Sequence, residues 1–226
     1  MPYQKMYDLI ERLSAMGKNV FTVNDASKLT GKKTLYMSLM LSKNKYIDRI
    51  ERGKYYLKGT DILEVASNVI FPSYLSLFSA FRYYNLTTQI PLKISVISTL
   101  RHKKLTIHGN VIEFRLLDKN RFFGYLKKDG IFIAEIEKAI IDALYFGEPP
   151  YSYVLESFQI ARDKHLIDIK KLKHYCIMMH SNALISRLGF LLESEGLDAS
   201  DLYKKRSKRY ITIPGISSEK NRWLIK

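Results

Sequence analysis

The first sixty residues constrain the fold most strongly, because three helical patterns and a hairpin pattern follow one another there with almost no spacer. Residues 3–16 place apolar side chains three and four positions apart, the spacing of one helical face. A second, shorter helix is predicted to begin at a cap formed by Thr22 or Asn24 and to end at Gly31. Residues 32–43 then predict a third helix, which starts with two lysines.

A hairpin pattern completes this region. Residues 46–50 and 55–57 read as two short strands, and Gly53 in the turn between them tolerates a positive φ. Helix, helix, basic helix and basic hairpin in this order are typical of a winged helix-turn-helix, which we predict for residues 1–60. The same fold also mediates protein contacts, so a protein-binding adaptor stays open as an alternative.

Positive charge is concentrated at the two ends of the chain. The protein has 37 Lys and Arg against 22 Asp and Glu, for a formal net charge of +15. Residues 1–60 hold 12 of these cations and 5 of the acids, residues 61–202 hold 17 and 16, and residues 203–226 hold 8 and 1. Because phosphate-binding surfaces need a local excess of Lys and Arg, this distribution predicts nucleic acid as the partner of the two ends.

The third helix and the hairpin tip are the predicted DNA contacts. If Thr34, Met37, Ser38 and Leu41 pack inward, the leading end and the other side of the helix face solvent and can enter a major groove. We expect the basic residues to meet phosphates, and Thr34 and Tyr36 to reach base edges. The predicted contact residues are Lys32, Lys33, Thr34, Tyr36, Met40, Lys43, Arg52 and Lys54. Two copies on a palindromic duplex are expected, since such sites mirror a two-fold axis in the protein.

The rest of the chain predicts a second, larger domain over residues 61–226. Asp61 can cap its first helix, and Pro72 and Ser73 are predicted to open a helix that runs to Tyr84. Strand patterns come next and helical patterns follow, which favours an α+β domain with an antiparallel sheet and C-terminal helices. The strands are predicted at residues 94–98, 104–107, 111–116 and 131–134, and the later helices at residues 135–146, 152–164, 169–180 and 182–194.

A basic cluster lies near the C-terminus. It consists of Lys204, Lys205, Arg206, Lys208 and Arg209. Two interpretations stay open for it, a second DNA contact and a solvated tail.

Several short motifs run through the larger domain: residues 73–77 with Ala80, residues 83–87, 89–91 and 121–125, Ala134 with Glu137, Lys138, Ala139 and Asp142, residues 187–193, and residues 221–223. These motifs resemble those of the AbiEi-type antitoxins, which are transcriptional regulators of type IV toxin-antitoxin (abortive infection) systems, and the resemblance covers nearly the whole chain. The chain departs from the family pattern at Glu135 and Ile136, where Asp and Pro are frequent, and at Asn44, where Gly is usual.

The resemblance implies a function. AbiEi-type proteins bind inverted repeats at their own promoter and oppose a partner nucleotidyltransferase toxin, in general without a stable complex and with the second domain needed for that effect. The expectation for this chain is therefore a DNA-binding antitoxin and autorepressor, with double-stranded DNA as its direct partner.

An enzyme is the alternative. The sequence has no Gly-rich phosphate loop, no His-Glu-x-x-His helix and only one cysteine, Cys176, and His174 and His180 are too far apart round a helix to join it at a metal ion. No cofactor and no metal site are predicted. A metal-dependent nuclease would need a carboxylate pair near a lysine, and Asp142 with Asp168 and Lys170 is the one candidate set.

The sequence also predicts a location. No apolar run approaches the roughly 18 residues that cross a bilayer, and the first residues lack a signal-peptide core, so we expect a cytoplasmic protein with no membrane partner.

Overall fold

The N-terminal unit is a winged helix-turn-helix. The computed structural model describes residues 2–214, 216 and 221–226. The three predicted helices and the hairpin are present, and one further short strand pairs with the hairpin to give a three-stranded antiparallel sheet of order β1-β3-β2. In chain order the elements are α1 (Pro2–Ala15), β1 (Val20–Thr22), α2 (Val23–Thr30), α3 (Thr34–Ser42), β2 (Ile47–Glu51) and β3 (Lys54–Leu57).

Local sequence signals place the helix-turn-helix. Thr22 caps α2: its hydroxyl accepts a hydrogen bond from the Asp25 backbone N–H at 3.1 Å, and the Asp25 carboxylate accepts one from the Thr22 backbone N–H at 2.8 Å. Lys18 also pairs with Asp25 at 2.7 Å. Gly31 ends α2 at a φ of +67°, in the left-handed conformation that glycine adopts most easily. The turn to α3 is therefore encoded by neighbouring residues.

The core of this unit lies between the three helices and the sheet. It combines residues of α1, α2, α3 and the strands: Met6, Leu9, Leu13, Phe21, Ala26, Met37, Leu41, Ile47, Tyr55 and Leu57. Met37 and Leu41 are buried as predicted, and Ser38 is half-buried with its hydroxyl 3.4 Å from that of Tyr55. The prediction that Thr34 also packs inward is wrong, because this first residue of α3 precedes the part of the helix that reaches the core and is exposed.

The larger unit has a six-stranded sheet with helices packed against it, so the predicted α+β class is confirmed. The sheet is mixed, whereas an antiparallel sheet was predicted: its strand order is β6-β7-β5-β4-β9-β8, and the pairs β5-β7 and β4-β9 are parallel while the other three are antiparallel. The parallel pairs join strands that are distant in the chain, which local sequence patterns do not reveal. The strands are β4 (Ser73–Leu75), β5 (Ile94–Ser98), β6 (Leu105–Ile107), β7 (Asn110–Leu116), β8 (Tyr125–Lys128) and β9 (Ile131–Ala134). The helices are α4 (Ile62–Asn68), α5 (Leu77–Tyr83), α6 (Ile136–Phe146), α7 (Tyr151–Asp163), α8 (Ile169–Met178), α9 (Asn182–Ser194) and α10 (Ser200–Tyr203), with a 3₁₀ turn at Lys119–Arg121.

The helix predicted to begin at Pro72 and Ser73 does not begin there. Ser73–Leu75 is a central strand of the sheet, and α5 starts only at Leu77. The hydroxyl of Ser73 donates to the backbone oxygens of Ser67 and Ile70, at 2.8 and 2.7 Å, and the strand pairs with β5 and β9 on its two sides. Pairing with these two strands therefore decides a segment that the sequence pattern predicts as the start of a helix.

Helix α6 is the centre of the helical layer. Its residues 137–144 are all buried, and it packs against α5, α7, α8 and α9. Three of the buried residues are charged, Glu137, Lys138 and Asp142, and the last two form an ion pair across one helical turn. The Asp142 carboxylate also accepts hydrogen bonds from the hydroxyls of Tyr74 at 3.1 Å and Ser76 at 2.8 Å. This network joins α6 to the middle of the sheet.

Phe123 and Gly124 pack around the Lys138 side chain of the ion pair. The Lys138 ammonium lies 4.8 Å from the centroid of the Phe123 ring, and its side-chain stem packs so closely against Gly124 that a Cβ there would lie 3.1 Å from it. Burial raises the pKa of the Asp142 carboxyl, and the charge of Lys138 and the hydrogen bonds from Ser76 and Tyr74 act in the opposite direction.

We predict that Lys138→Met lowers the free energy of unfolding by about 3–5 kcal/mol, because it leaves the Asp142 carboxylate buried without its cation. Urea denaturation followed by circular dichroism measures the loss. Lys170→Met, at an exposed lysine of α8, is the matched control and should change stability by less than about 0.5 kcal/mol. The double variant Lys138→Met/Asp142→Leu should recover part of the loss. Equal stability of Lys138→Met and the wild type would contradict the structural role of the pair.

Candidate nucleic-acid interface

The leading end of α3 is positively charged and open. Lys32 and Lys33 are exposed, and within the part of the chain that the structure describes neither side chain makes an ion pair. Lys33 is the N-cap residue, its side chain does not cap the helix, and the first turn contains no acidic residue. The helix dipole places partial positive charge at the same end. These features together attract an anion such as a phosphate.

The predicted contact residues along α3 divide into exposed and partly buried ones. Thr34 and Tyr36 are exposed, Met40 is half-buried, and Lys43 is exposed at the C-terminal cap of the helix. Lys43, like the lysines at the leading end, makes no ion pair with any residue in the described ranges. Helix α3 therefore presents an uncharged surface, and the cations at both ends have no ion-pair partner in the described part of the chain.

The two predicted cations at the tip of the wing differ in their surroundings. Arg52 is exposed in the turn between β2 and β3, where Gly53 has a φ of +79°, and it forms no ion pair within the described residues. Lys54 is half-buried, and its ammonium lies 3.0 Å from the Glu51 carboxylate. Arg52 is thus available to a phosphate, whereas Lys54 already has a counter-charge.

Two histidines of the larger unit hold the wing. The Glu51 carboxylate of β2 lies 3.2 Å from the Nε2 atom of His102, and the Asp48 carboxylate of the same strand lies 3.2 Å from Nε2 of His108. The His108 ring nitrogen is also 2.7 Å from the hydroxyl of Tyr56. Burial opposes ionisation of Glu51, but the hydrogen bonds from Lys54 and His102 bring its pKa below the ordinary value. Both acids of the wing are therefore engaged by neighbouring side chains.

A cleft lies between the two units. Its volume is about 640 Å³, and Asn19, Glu64, Phe71, Lys127 and Phe132 are among its lining residues. The Asn19 amide donates to both oxygens of the Glu64 carboxylate, at 3.0 and 3.2 Å, and burial raises the pKa of Glu64. These hydrogen bonds cross between the units and add to the contacts made by the wing.

The C-terminal basic cluster is mostly exposed. Lys204, Lys205, Lys208 and Arg209 face solvent. Arg206 is half-buried and has structural contacts: its Nε atom donates to the backbone oxygen of Arg222 at 2.8 Å, and its guanidinium lies 4.1 Å from the centroid of the Tyr203 ring. In the described ranges no hydrogen bond or ion pair joins this cluster to α3 or the wing.

The carboxylates considered for a nuclease have other partners. Asp142 is fully buried in the network with Lys138, and Asp168 caps α8 by accepting from the backbone N–H groups of Lys170 and Lys171 at 2.8 and 3.2 Å. Among the residues that the structure describes, no group of three or more His, Cys, Asp or Glu side chains is placed to hold a metal ion.

Within the same residues, no helix is long and apolar enough to cross a membrane.

Sequence reasoning missed one feature of α3. Leu35 and Leu39 point outward and are 76% and 57% exposed. The signal was present in the sequence, because α3 has apolar residues on all sides and no charged residue at any position from Thr34 to Ser42.

Comparison with known proteins supports the fold and leaves the family open. No family profile matches the sequence, and no curated protein sequence is similar enough to match. The crystal structure of the RV2827C protein from Mycobacterium tuberculosis is similar, with a TM-score of 0.59 over 94% of this chain and 88% of that chain. The two sequences are 12% identical, so this similarity shows the fold alone.

We predict that Lys33→Ala and Arg52→Ala each weaken binding to any duplex and flatten the log–log dependence of affinity on salt by about one unit, because each removes one cation that is predicted to contact a phosphate. Fluorescence anisotropy with a labelled duplex at several salt concentrations measures the slope. Lys170→Ala in α8 is the control and should leave the slope at the wild-type value. An unchanged slope for Lys33→Ala or Arg52→Ala would show that the residue does not contact a phosphate.

Proposed function

We propose that this protein is a double-stranded DNA-binding transcriptional regulator. One observation carries the proposal: Lys32, Lys33, Lys43 and Arg52, which have no ion-pair partner among the described residues, lie at the two ends of α3 and at the tip of the wing, in a winged helix-turn-helix. These are the elements with which this fold approaches a major groove and the flanking backbone. Neutralising phosphates there releases counterions, which supplies most of the affinity for DNA.

The acids of the wing support the proposal. Asp48 and Glu51 would repel a phosphate if they faced the same surface without partners. Asp48 instead contacts Lys58 at 3.6 Å and His108, and Glu51 contacts Lys54 and His102. The repulsion is reduced by these neighbours, while Arg52 keeps its full charge for the duplex.

The resemblance to the AbiEi-type antitoxins extends the proposal to an antitoxin and autorepressor. Two copies bind inverted repeats at the protein's own promoter, in the cytoplasm, and each places α3 in a major groove. The larger unit, residues 61–226, opposes a nucleotidyltransferase toxin without a stable complex. This part of the proposal rests on the motifs of the larger unit, to which the similarity in fold adds no evidence of function.

We predict saturable binding to the inverted repeat upstream of the protein's own reading frame. Tyr36→Ala or Thr34→Ala should cost about 1–3 kcal/mol on that site and less on random duplex, if the side chain contacts a base. Gel shifts on the two DNAs at physiological salt measure the difference. Binding that is absent at physiological salt would favour a protein-binding adaptor, and cleavage of the labelled DNA on addition of magnesium would favour a nuclease.

We also predict that repression and toxin neutralisation are separable. The triple variant Lys32→Ala/Lys33→Ala/Arg52→Ala should lose repression of a reporter under the upstream promoter, because three phosphate contacts are removed. The same full-length variant should still relieve the growth arrest caused by the nucleotidyltransferase of the neighbouring reading frame. Loss of both effects in a variant with unchanged urea denaturation would contradict the assignment of neutralisation to the larger unit.

A further inference from the structure

Helix α3 lacks the side chains that most proteins use to read bases. Its sequence from Thr34 to Ser42 has no Arg, Lys, Asn, Gln, Asp or Glu. Guanine is usually read by Arg or Lys, adenine by Asn or Gln, and cytosine by Asp or Glu, through hydrogen bonds at the major-groove edge. A duplex in contact with α3 meets none of these groups along the helix.

The hydroxyl groups of α3 are partly engaged within the protein. Ser42 donates to the backbone oxygen of Leu39 at 3.0 Å, and the Ser38 hydroxyl lies 3.4 Å from that of Tyr55. Thr34 and Tyr36 keep exposed hydroxyls, but a hydroxyl both donates and accepts and so discriminates weakly between bases. The polar groups on α3 that remain to read a base are therefore the hydroxyls of Thr34 and Tyr36.

The outward side of α3 is apolar instead. Leu35 and Leu39 are four residues apart, so they lie on one face of the helix, and they are 76% and 57% exposed. Met37 and Leu41 fill the core on the opposite side, so the fold of the N-terminal unit does not need the two outward leucines. Apolar side chains that are exposed next to each other on one helical face favour an interaction surface.

The charges around these leucines identify the kind of partner. Lys32 and Lys33 precede the leucines, Lys43 follows them, and Arg52 lies at the wing tip. Within the described residues none of these four cations has an ion-pair partner. An apolar protein surface would leave the four charges without counter-charges, whereas a duplex groove offers phosphates on both sides of a floor of base edges.

We propose that Leu35 and Leu39 recognise the C5-methyl groups of thymines, so that the half-site is specified by T·A base pairs at the positions beneath α3. The thymine methyl is the apolar group that the unmodified bases present in the major groove. This inference rests on the proposed DNA-binding function and adds the chemistry by which the site is chosen.

Replacing thymine by uracil tests the inference, because uracil pairs in the same way and lacks only the methyl group. A duplex selected by the full-length protein from a pool with a randomised segment is synthesised again with deoxyuridine at single thymine positions of the selected site. We expect affinity to fall about fourfold for each thymine in contact with a leucine, the value of one buried methyl group. Deoxyuridine at flanking positions outside the protected site is the DNA control and should have no effect.

Leucine variants locate the contact on the protein. At the base that the leucine covers, Leu35→Ala and Leu39→Ala should each bring the ratio of the affinities for the thymine and uracil duplexes close to one. Leu92→Ala, at a leucine of the larger unit that is 97% exposed, should keep the wild-type preference. Because all three leucines are exposed, each variant should unfold at the wild-type urea concentration.

The possible outcomes separate the two proposals. Tight binding with equal affinity for thymine and uracil at every position overturns the methyl-recognition inference and leaves the proposed function intact. Binding to no duplex, even at low salt, overturns both. A dimer in solution that Leu35→Ala/Leu39→Ala dissociates, with an unchanged preference for thymine, also overturns the inference, since the leucines would then contact a second copy of the chain.

Discussion

The Asp142 carboxylate fixes how the two layers of the larger unit pack, because it joins the central strand of the sheet to the helix at the centre of the helical layer. Its partners come from both layers: the hydroxyls of Tyr74 and Ser76, and the ammonium of Lys138 one helical turn away. A buried carboxylate without such partners is costly, and so is a buried ammonium. The sheet and α6 therefore pack so that both charges have partners. Packing arrangements that separate Asp142 from Lys138 are strongly disfavoured.

The larger unit in turn positions the winged helix. His102 and His108 contact the acids of β2, and Glu64 accepts hydrogen bonds from Asn19. These contacts keep negative charge of the wing engaged with the larger unit, while Arg52 and the lysines of α3 stay exposed. The electrostatic surface of the N-terminal unit thus depends on residues that lie far along the chain, although the unit has its own hydrophobic core.

Prediction from sequence worked where structure is determined by neighbouring residues. The cap at Thr22, the left-handed glycine at Gly31 and the hairpin glycine at Gly53 act within a few residues, and the winged helix follows from them. It failed at Ser73–Leu75, because pairing with β5 and β9 decides that segment. Leu35 was missed because a pattern of apolar residues predicts which side of a helix is buried only when the other side is polar.

Local sequence patterns are enough to predict the helices and hairpin of the winged helix-turn-helix, the α+β class and the concentration of positive charge at the two ends of the chain. Folding decides which of those charges are available. Arg52 is exposed at the wing tip while Lys54, two residues later, is paired with Glu51. Arg206 packs on Tyr203, while the other four basic residues of its cluster face solvent. The physical reason is range: helix caps and turns depend on adjacent residues, whereas burial and charge pairing depend on residues that meet only after the chain has folded.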